Sequence, residues 1–354
     1  MLVSSLARQQ LQSQALAIGF PLVGFVTAQN APGFSRLQEW IARGYMGNMS
    51  YIPKRVEAYQ HPDAVLEECK TLMMLAMPYT KHDRRVSADN LSTESMDEAV
   101  GRVGNYALGS MDYHDLIRDK LNQLCDALRT MFPDSRNRGV VDTAPLMERD
   151  FAQLAGLGWI GKNTLLLNRN LGSYFFLAAI LTNIYLEPSH PFEADHCGSC
   201  TACLDACPTS AFAGPRVLDA SRCISYLTIE HREAIAPELS QKMGDWIFGC
   251  DVCQIVCPWN RKASATIEEQ LRPHDVANKR SIAYWLQLDE AEFRISFRHT
   301  PFWRTRLVGM QRNAMIAATN LRRVDLIPLI ESFRNHSDSV LRITCERCLN
   351  QLTS

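Results

Sequence analysis

Eight of the twelve cysteines in this 354-residue chain are spaced to hold metal. Cys197, Cys200, Cys203 and Cys207, followed by Pro208, spell C-x2-C-x2-C-x3-C-P, a run in which three thiolates wrap one cluster and the fourth serves another. Cys250, Cys253 and Cys257, followed by Pro258, form a second, imperfect run, and Cys223 upstream completes eight ligands. The crossing rule predicts one 4Fe-4S cluster on Cys197, Cys200, Cys203 and Cys257, and another on Cys207, Cys223, Cys250 and Cys253. Two structural zinc sites compete with this reading, since CxxC pairs also suit tetrahedral zinc. Three ligands within seven residues and the Cys-Pro steps favour iron and sulfide, and therefore electron transfer.

The other four cysteines read differently. Cys125, Cys345 and Cys348 fall on apolar helical stripes, where a thiol packs as a small hydrophobe; Cys69 is outside both runs. Asp142, in Val140-Val141-Asp142-Thr143-Ala144-Pro145, ends a strand just before a turn, the place where α/β proteins present ligands. It is the candidate proton donor, with a helix N-cap as the alternative. The segment from Gly156 to Thr164 is the richest in glycine and is either a close approach to a bulky ligand or a tight turn. Arg304, Arg306, Arg312, Arg322 and Arg323, with Phe302 and Trp303 nearby, could hold phosphates and stack bases, or form an ordinary basic helix surface.

These residues need elements to place them. Hydrophobic residues make up 46% and charged residues 21%, the composition of a folded protein rather than a disordered one. Net charge is -1, but residues 271–354 hold 13 Lys and Arg against 8 Asp and Glu, so the tail is basic and the rest acidic. The first twenty residues are broken by Arg8 and several Gln and read as an amphipathic helix, not a signal peptide; no apolar run is long enough to span a membrane. Reduced, clustered cysteines then suit a cytoplasmic protein.

Leu22–Val26, Thr71–Met77, Arg138–Thr143 and Tyr174–Thr182 read as buried strands, and Tyr113, Leu116, Ile117, Leu121, Leu124 and Leu128 as one helix face. The organisation expected is an α/β (α+β) body over 1–187, a two-cluster domain over 188–262 and a helical, HEAT-like tail over 263–354 that docks on the body. The polar stretch 82–98 reads as a loop that covers a site.

Several strings taken together resemble the epoxyqueuosine reductase family over nearly the whole chain. They are Asp112-Tyr113-His114, Val141 to Pro145, Ala155 to Asn163, Arg222 to Thr228, Cys197-Gly198-Ser199-Cys200, Phe248-Gly249-Cys250-Asp251 and Cys257-Pro258-Trp259-Asn260. The resemblance implies a cobalamin-dependent reductase that removes the epoxide oxygen of epoxyqueuosine in a tRNA anticodon, giving queuosine. It implies a body related in fold to reductive dehalogenases and clusters that feed cobalt from an external flavodoxin- or ferredoxin-type donor, in a cytoplasmic monomer. Asp142 matches the general acid above the corrin, and Arg55, Lys162, Asn163 and Ser225 match parts of the corrinoid pocket. Asp112-x-His114 is similar to the signature of a lower cobalt ligand, but Ile117 stands where that signature has Gly, so His114 is not expected on cobalt. One more residue than the family spacing precedes Asp112. The competing functions are a corrinoid reductase of a small molecule, like a reductive dehalogenase, and a plain electron-transfer module.

Overall fold

The computed structural model describes residues 2–79, 100–261, 263, 268–272 and 281–354. The stretch 82–98, expected to cover a site, lies outside the described residues. Helix α1 (Leu2–Ala17) leads into β1 (Leu22–Thr27), α2 (Phe34–Ala42) and β2 (Thr71–Pro78). A two-residue strand, β3 (Arg102–Val103), precedes α3 (Tyr113–Met131), β4 (Asn137–Val140) and α4 (Glu148–Leu154). The hairpin β5 (Trp159–Ile160) and β6 (Leu166–Leu167) then leads to β7 (Phe175–Thr182).

The central sheet has the order β1-β2-β7-β4, and all its pairings are antiparallel. That makes the body α+β, and the parallel-sheet argument for Asp142 does not apply to it. The strand expected to end at Thr143 stops at Val140, which leaves Asp142 in the turn beyond. All eight residues of β2 are buried because both faces of the sheet are covered. Met73, Leu75 and Met77 join the core beneath α1 and α3, while Leu72, Met74 and Ala76 join the core beneath α4.

The predicted face of α3 is its buried face, with Cys125 added. Its start is fixed by Asp112, whose carboxylate accepts the His114 N–H at 3.0 Å. Burying a leucine such as Leu121 in that core contributes about 2 kcal/mol. Glycines between Gly156 and Gly161 serve the turn into the hairpin: Gly156 has φ +83°, and a Cβ on Gly158 would collide with the Leu167 carbonyl.

Short helices at Ala202–Asp205, Ile224–Ile229 and Val252–Ile255 carry the cysteine region, whose apolar clusters are small. The tail contains helices Ile282–Gln287, Glu290–Phe297, Arg306–Asn320 and Ser339–Leu352. Its core includes Ala107, Leu108, Ile229, Ile247 and Phe248, so the tail docks as expected. Cys345 and Cys348 are buried within that core.

Two tail residues correct the nucleic-acid reading. Phe302 and Arg312 are each only 1% exposed, so neither is available to a base or a phosphate. Arg312 donates to the carbonyls of Leu227, His231 and Glu233 at 2.6–2.9 Å. Asn313 donates to those of Thr228 and Ile247. The two side chains bolt the helix Arg306–Asn320 to the cysteine region. Among the described residues, no helix is long and apolar enough to cross a membrane.

Candidate active site and cysteine centres

The two sets of cysteines expected from the spacing have different surroundings. Cys197, Cys200, Cys203 and Cys257 line one cavity of about 250 Å³, together with Lys162, Asn163, His196 and Trp259. Burial raises the Cys203 thiol, and nearby Cys257, Cys197 and Cys200 raise it further. In the other set, burial raises Cys250, followed by the proximity of Cys223 and Cys207; Cys253 is raised by burial, then Cys223 and Cys250. Thiols crowded in this way resist losing all their protons unless a cation holds the thiolates.

Among the described residues, no three Cys, His, Asp or Glu side chains converge on a single ion. Tetrahedral zinc needs its sulfurs about 2.3 Å from one centre, whereas a cubane spreads four thiolates around a larger body. Four thiols lining one cavity of about 250 Å³ fit such a body.

The Asp142 turn projects its carboxylate from the end of β4. Asp142 has φ +43°, a left-handed conformation rare outside glycine, and its side chain is 47% exposed. Its Oδ2 accepts from the Tyr113 hydroxyl, its Oδ1 meets His114 Nε2 at 2.9 Å, and its backbone N–H donates to Glu148 Oε1 at 2.9 Å. His114 Nδ1 meets Asp112 Oδ1 at 2.7 Å, which commits both ring nitrogens to carboxylates. Burial works against charge on His114, but the hydrogen bonds to Asp112 and Asp142 raise it to about 9. Asp112, pushed up by burial, ends below its usual value through its bonds with His114.

One expectation changes here: the helix-cap alternative for Asp142 falls, because the N-cap of α4 is Met147, with no side-chain cap.

Tyr113 stacks on Phe176 at 3.9 Å and on His114 at 4.1 Å, which fixes its hydroxyl toward Asp142. Tyr106 lies edge-on to Tyr113, with ring centroids 6.2 Å apart. Burial raises its hydroxyl, and the next influences are Asp251, between two cysteines, and Asp142. Asp251 is itself pushed up to about 6 by burial, although Asn105 donates to it at 2.7 and 2.6 Å.

The four residues expected around a corrin separate. Lys162 donates to the carbonyls of Gly198 and Cys200 at 2.7 and 2.9 Å, and buried Asn163 lines the same cavity and donates to the Cys253 carbonyl at 3.5 Å. Ser225 is half-buried, and its backbone N–H contacts the Cys223 thiol. Arg55 is exposed on the turn Pro53–Tyr59, near Tyr59, which in turn faces Glu148. The sequence reading missed Glu148 and the hydroxyl of Tyr113 as partners of Asp142. Asp112-Tyr113-His114 was visible as a string, but nothing in a linear pattern ties Glu148 to the backbone of Asp142.

Residues 196–260 match the family described as 4Fe-4S double cluster binding domain, and residues 60–143 match Epoxyqueuosine reductase QueG. The epoxyqueuosine reductase of Cyclobacterium marinum is 37% identical over 86% of this chain and 94% of its own length. That of Pseudomonas aeruginosa is 38% identical over 92% and 88%. A solved epoxyqueuosine reductase with a tRNA-Tyr epoxyqueuosine-modified stem loop aligns with TM-score 0.89 and 31% identity, covering 98% of this chain and 90% of that one. A Bacillus subtilis epoxyqueuosine reductase, with its catalytic aspartate loop swung out of the active site, aligns with TM-score 0.86 and 30% identity over the same shares.

Fold and cysteine region define an iron–sulfur oxidoreductase built on an α+β body. Within that class, the chain belongs to the epoxyqueuosine reductase family.

Proposed function

We propose that this chain reduces the epoxide of epoxyqueuosine to queuosine at the wobble position of tRNA, the last step in making that nucleoside. The observation that carries the reading is Asp142, open to solvent and held at three points by Tyr113, His114 and Glu148. Cys197, Cys200, Cys203 and Cys257 would hold one 4Fe-4S cluster and Cys207, Cys223, Cys250 and Cys253 the other. When bound, the clusters and a cobalamin supply the two electrons that open the carbon–oxygen bonds.

The chain's own task is proton delivery, since an epoxide oxygen leaves poorly until it is protonated. Two protons are needed to release it as water. Asp142 hands on one from His114 Nε2 and draws the second from the solvent to which it is open, while Asp112 steadies the charged ring. Tyr113 keeps the carboxylate aimed outward. Arg55, Lys162, Asn163 and Ser225 are assigned to the corrin's surroundings.

Cys200 is exposed, which supports an external flavodoxin- or ferredoxin-type donor delivering electrons at that set. The HEAT-like tail is assigned to the tRNA, with Arg306 lying 4.6 Å over Trp303 as a base-stacking pair. The reading also places the protein in the cytoplasm as a monomer, on a body akin to that of reductive dehalogenases. Deleting the gene should make epoxyqueuosine accumulate in tRNA at the expense of queuosine, as read by nucleoside mass spectrometry. Normal queuosine in the deletion strain would reject the proposal.

A further inference from the structure

Asp142 holds a strained backbone, and strain of this kind persists only where neighbours over-determine it. Its carboxylate has two partners from α3, but its backbone N–H has one, Glu148 Oε1 at 2.9 Å. Glu148 opens α4, which is anchored by buried Phe151 and Ala152 in the core under the sheet. The acceptor is therefore fixed to rigid structure, while the turn it holds is exposed at Asp142 and Thr143.

We propose that Glu148 is the positioning residue for Asp142, accepting its N–H to keep the turn in the left-handed conformation that points the carboxylate at the reacting epoxide. This rests on the reading of Asp142 as the acid.

The electrostatics agree with that role. The groups facing Glu148 are Asp142 and His114 on the site side, Arg149 on its own helix and Tyr59 from the turn Pro53–Tyr59. Burial, and then the charge of Asp142, push Glu148 up to about 8. Near neutral pH it thus accepts the N–H as a neutral carboxyl, without a second negative charge beside Asp142. Above about 8 it ionises, two carboxylates come side by side, and the arrangement loosens.

The test uses enzyme loaded with both clusters and cobalamin, an epoxyqueuosine-bearing tRNA stem loop, and single-turnover rates from pH 6 to 9.5. Hydrogen exchange of the peptide 141–147 is followed alongside. Glu148→Ala should lose at least about tenfold in rate with stem-loop binding unchanged, and its 141–147 amides should exchange faster. Glu148→Gln keeps the acceptor and cannot ionise, so it should restore most of the rate and the protection while removing the alkaline fall near pH 8.

Wild-type rate and exchange in Glu148→Ala would overturn the proposal, as would a Glu148→Gln as impaired as Glu148→Ala. Asp142→Asn, run in parallel, separates the two readings. Full turnover in that variant removes the acid role of Asp142, whereas the exchange of 141–147 in the Glu148 variants still reports on the latch.

Discussion

At the scale of residues, the proton inventory of the site is carried by His114, raised to about 9 from an ordinary 6.5. A histidine raised on folding contributes stability that is complete below about 6.5 and disappears as pH rises through about 9. Glu148 acts in the other sense: a carboxyl raised to about 8 adds a cost that is absent below its ordinary value of about 4.3 and complete above about 8. Both slopes fall with rising pH, but over different windows. His114→Asn should lower Tm most near pH 6, with the deficit shrinking toward pH 9.5; an equal deficit at both pH values would show that the ring is not charged in the fold. Asp142 itself was legible in Val141-Asp142-Thr143-Ala144-Pro145 because its string is distinctive. Its surroundings were not, since a hydroxyl from α3 and a carboxyl from α4 reach it only through the fold.

Elements differ in how plainly the sequence announces them, and the reason is how many sides they bury. α3 buries one face and exposes the other, so Tyr113 to Leu128 shows a clean helical stripe. The helix Arg306–Asn320 is buried on nearly every side, with Gln311, Arg312, Asn313 and Thr319 among its hidden residues, and a stripe cannot be seen when polar side chains line the inside. Its arginine therefore looked like surface. The sheet's direction was illegible for a related reason: strands covered on both faces read as continuous apolar runs whether they are parallel or antiparallel. Arg312 now makes a measurable claim about the element. Arg312→Met should cost about 3 kcal/mol, because three backbone carbonyls lose their buried donor. A change within about 0.5 kcal/mol in urea unfolding would show that the bolt is dispensable.

For the molecule as a whole, the tail's core is shared with the segment around Phe248, and the Asp142 turn of the body opens to solvent. The docking of the tail followed from helices too few to bury their own faces. Lys162 and Asn163 were legible only as part of a string shared with the family, because their hydrogen bonds to the carbonyls of Gly198, Cys200 and Cys253 arise only through the fold. The most direct measurement is conversion in a defined mixture: purified protein reconstituted with iron, sulfide and cobalamin, a chemical reductant and an epoxyqueuosine-bearing tRNA stem loop, with the nucleosides read by mass spectrometry. The account predicts that epoxyqueuosine loses one oxygen to become queuosine and that Asp142→Asn slows this at least about 100-fold with its iron content intact. Unchanged epoxyqueuosine with the fully loaded protein, or an Asp142→Asn variant that turns over normally, would contradict it.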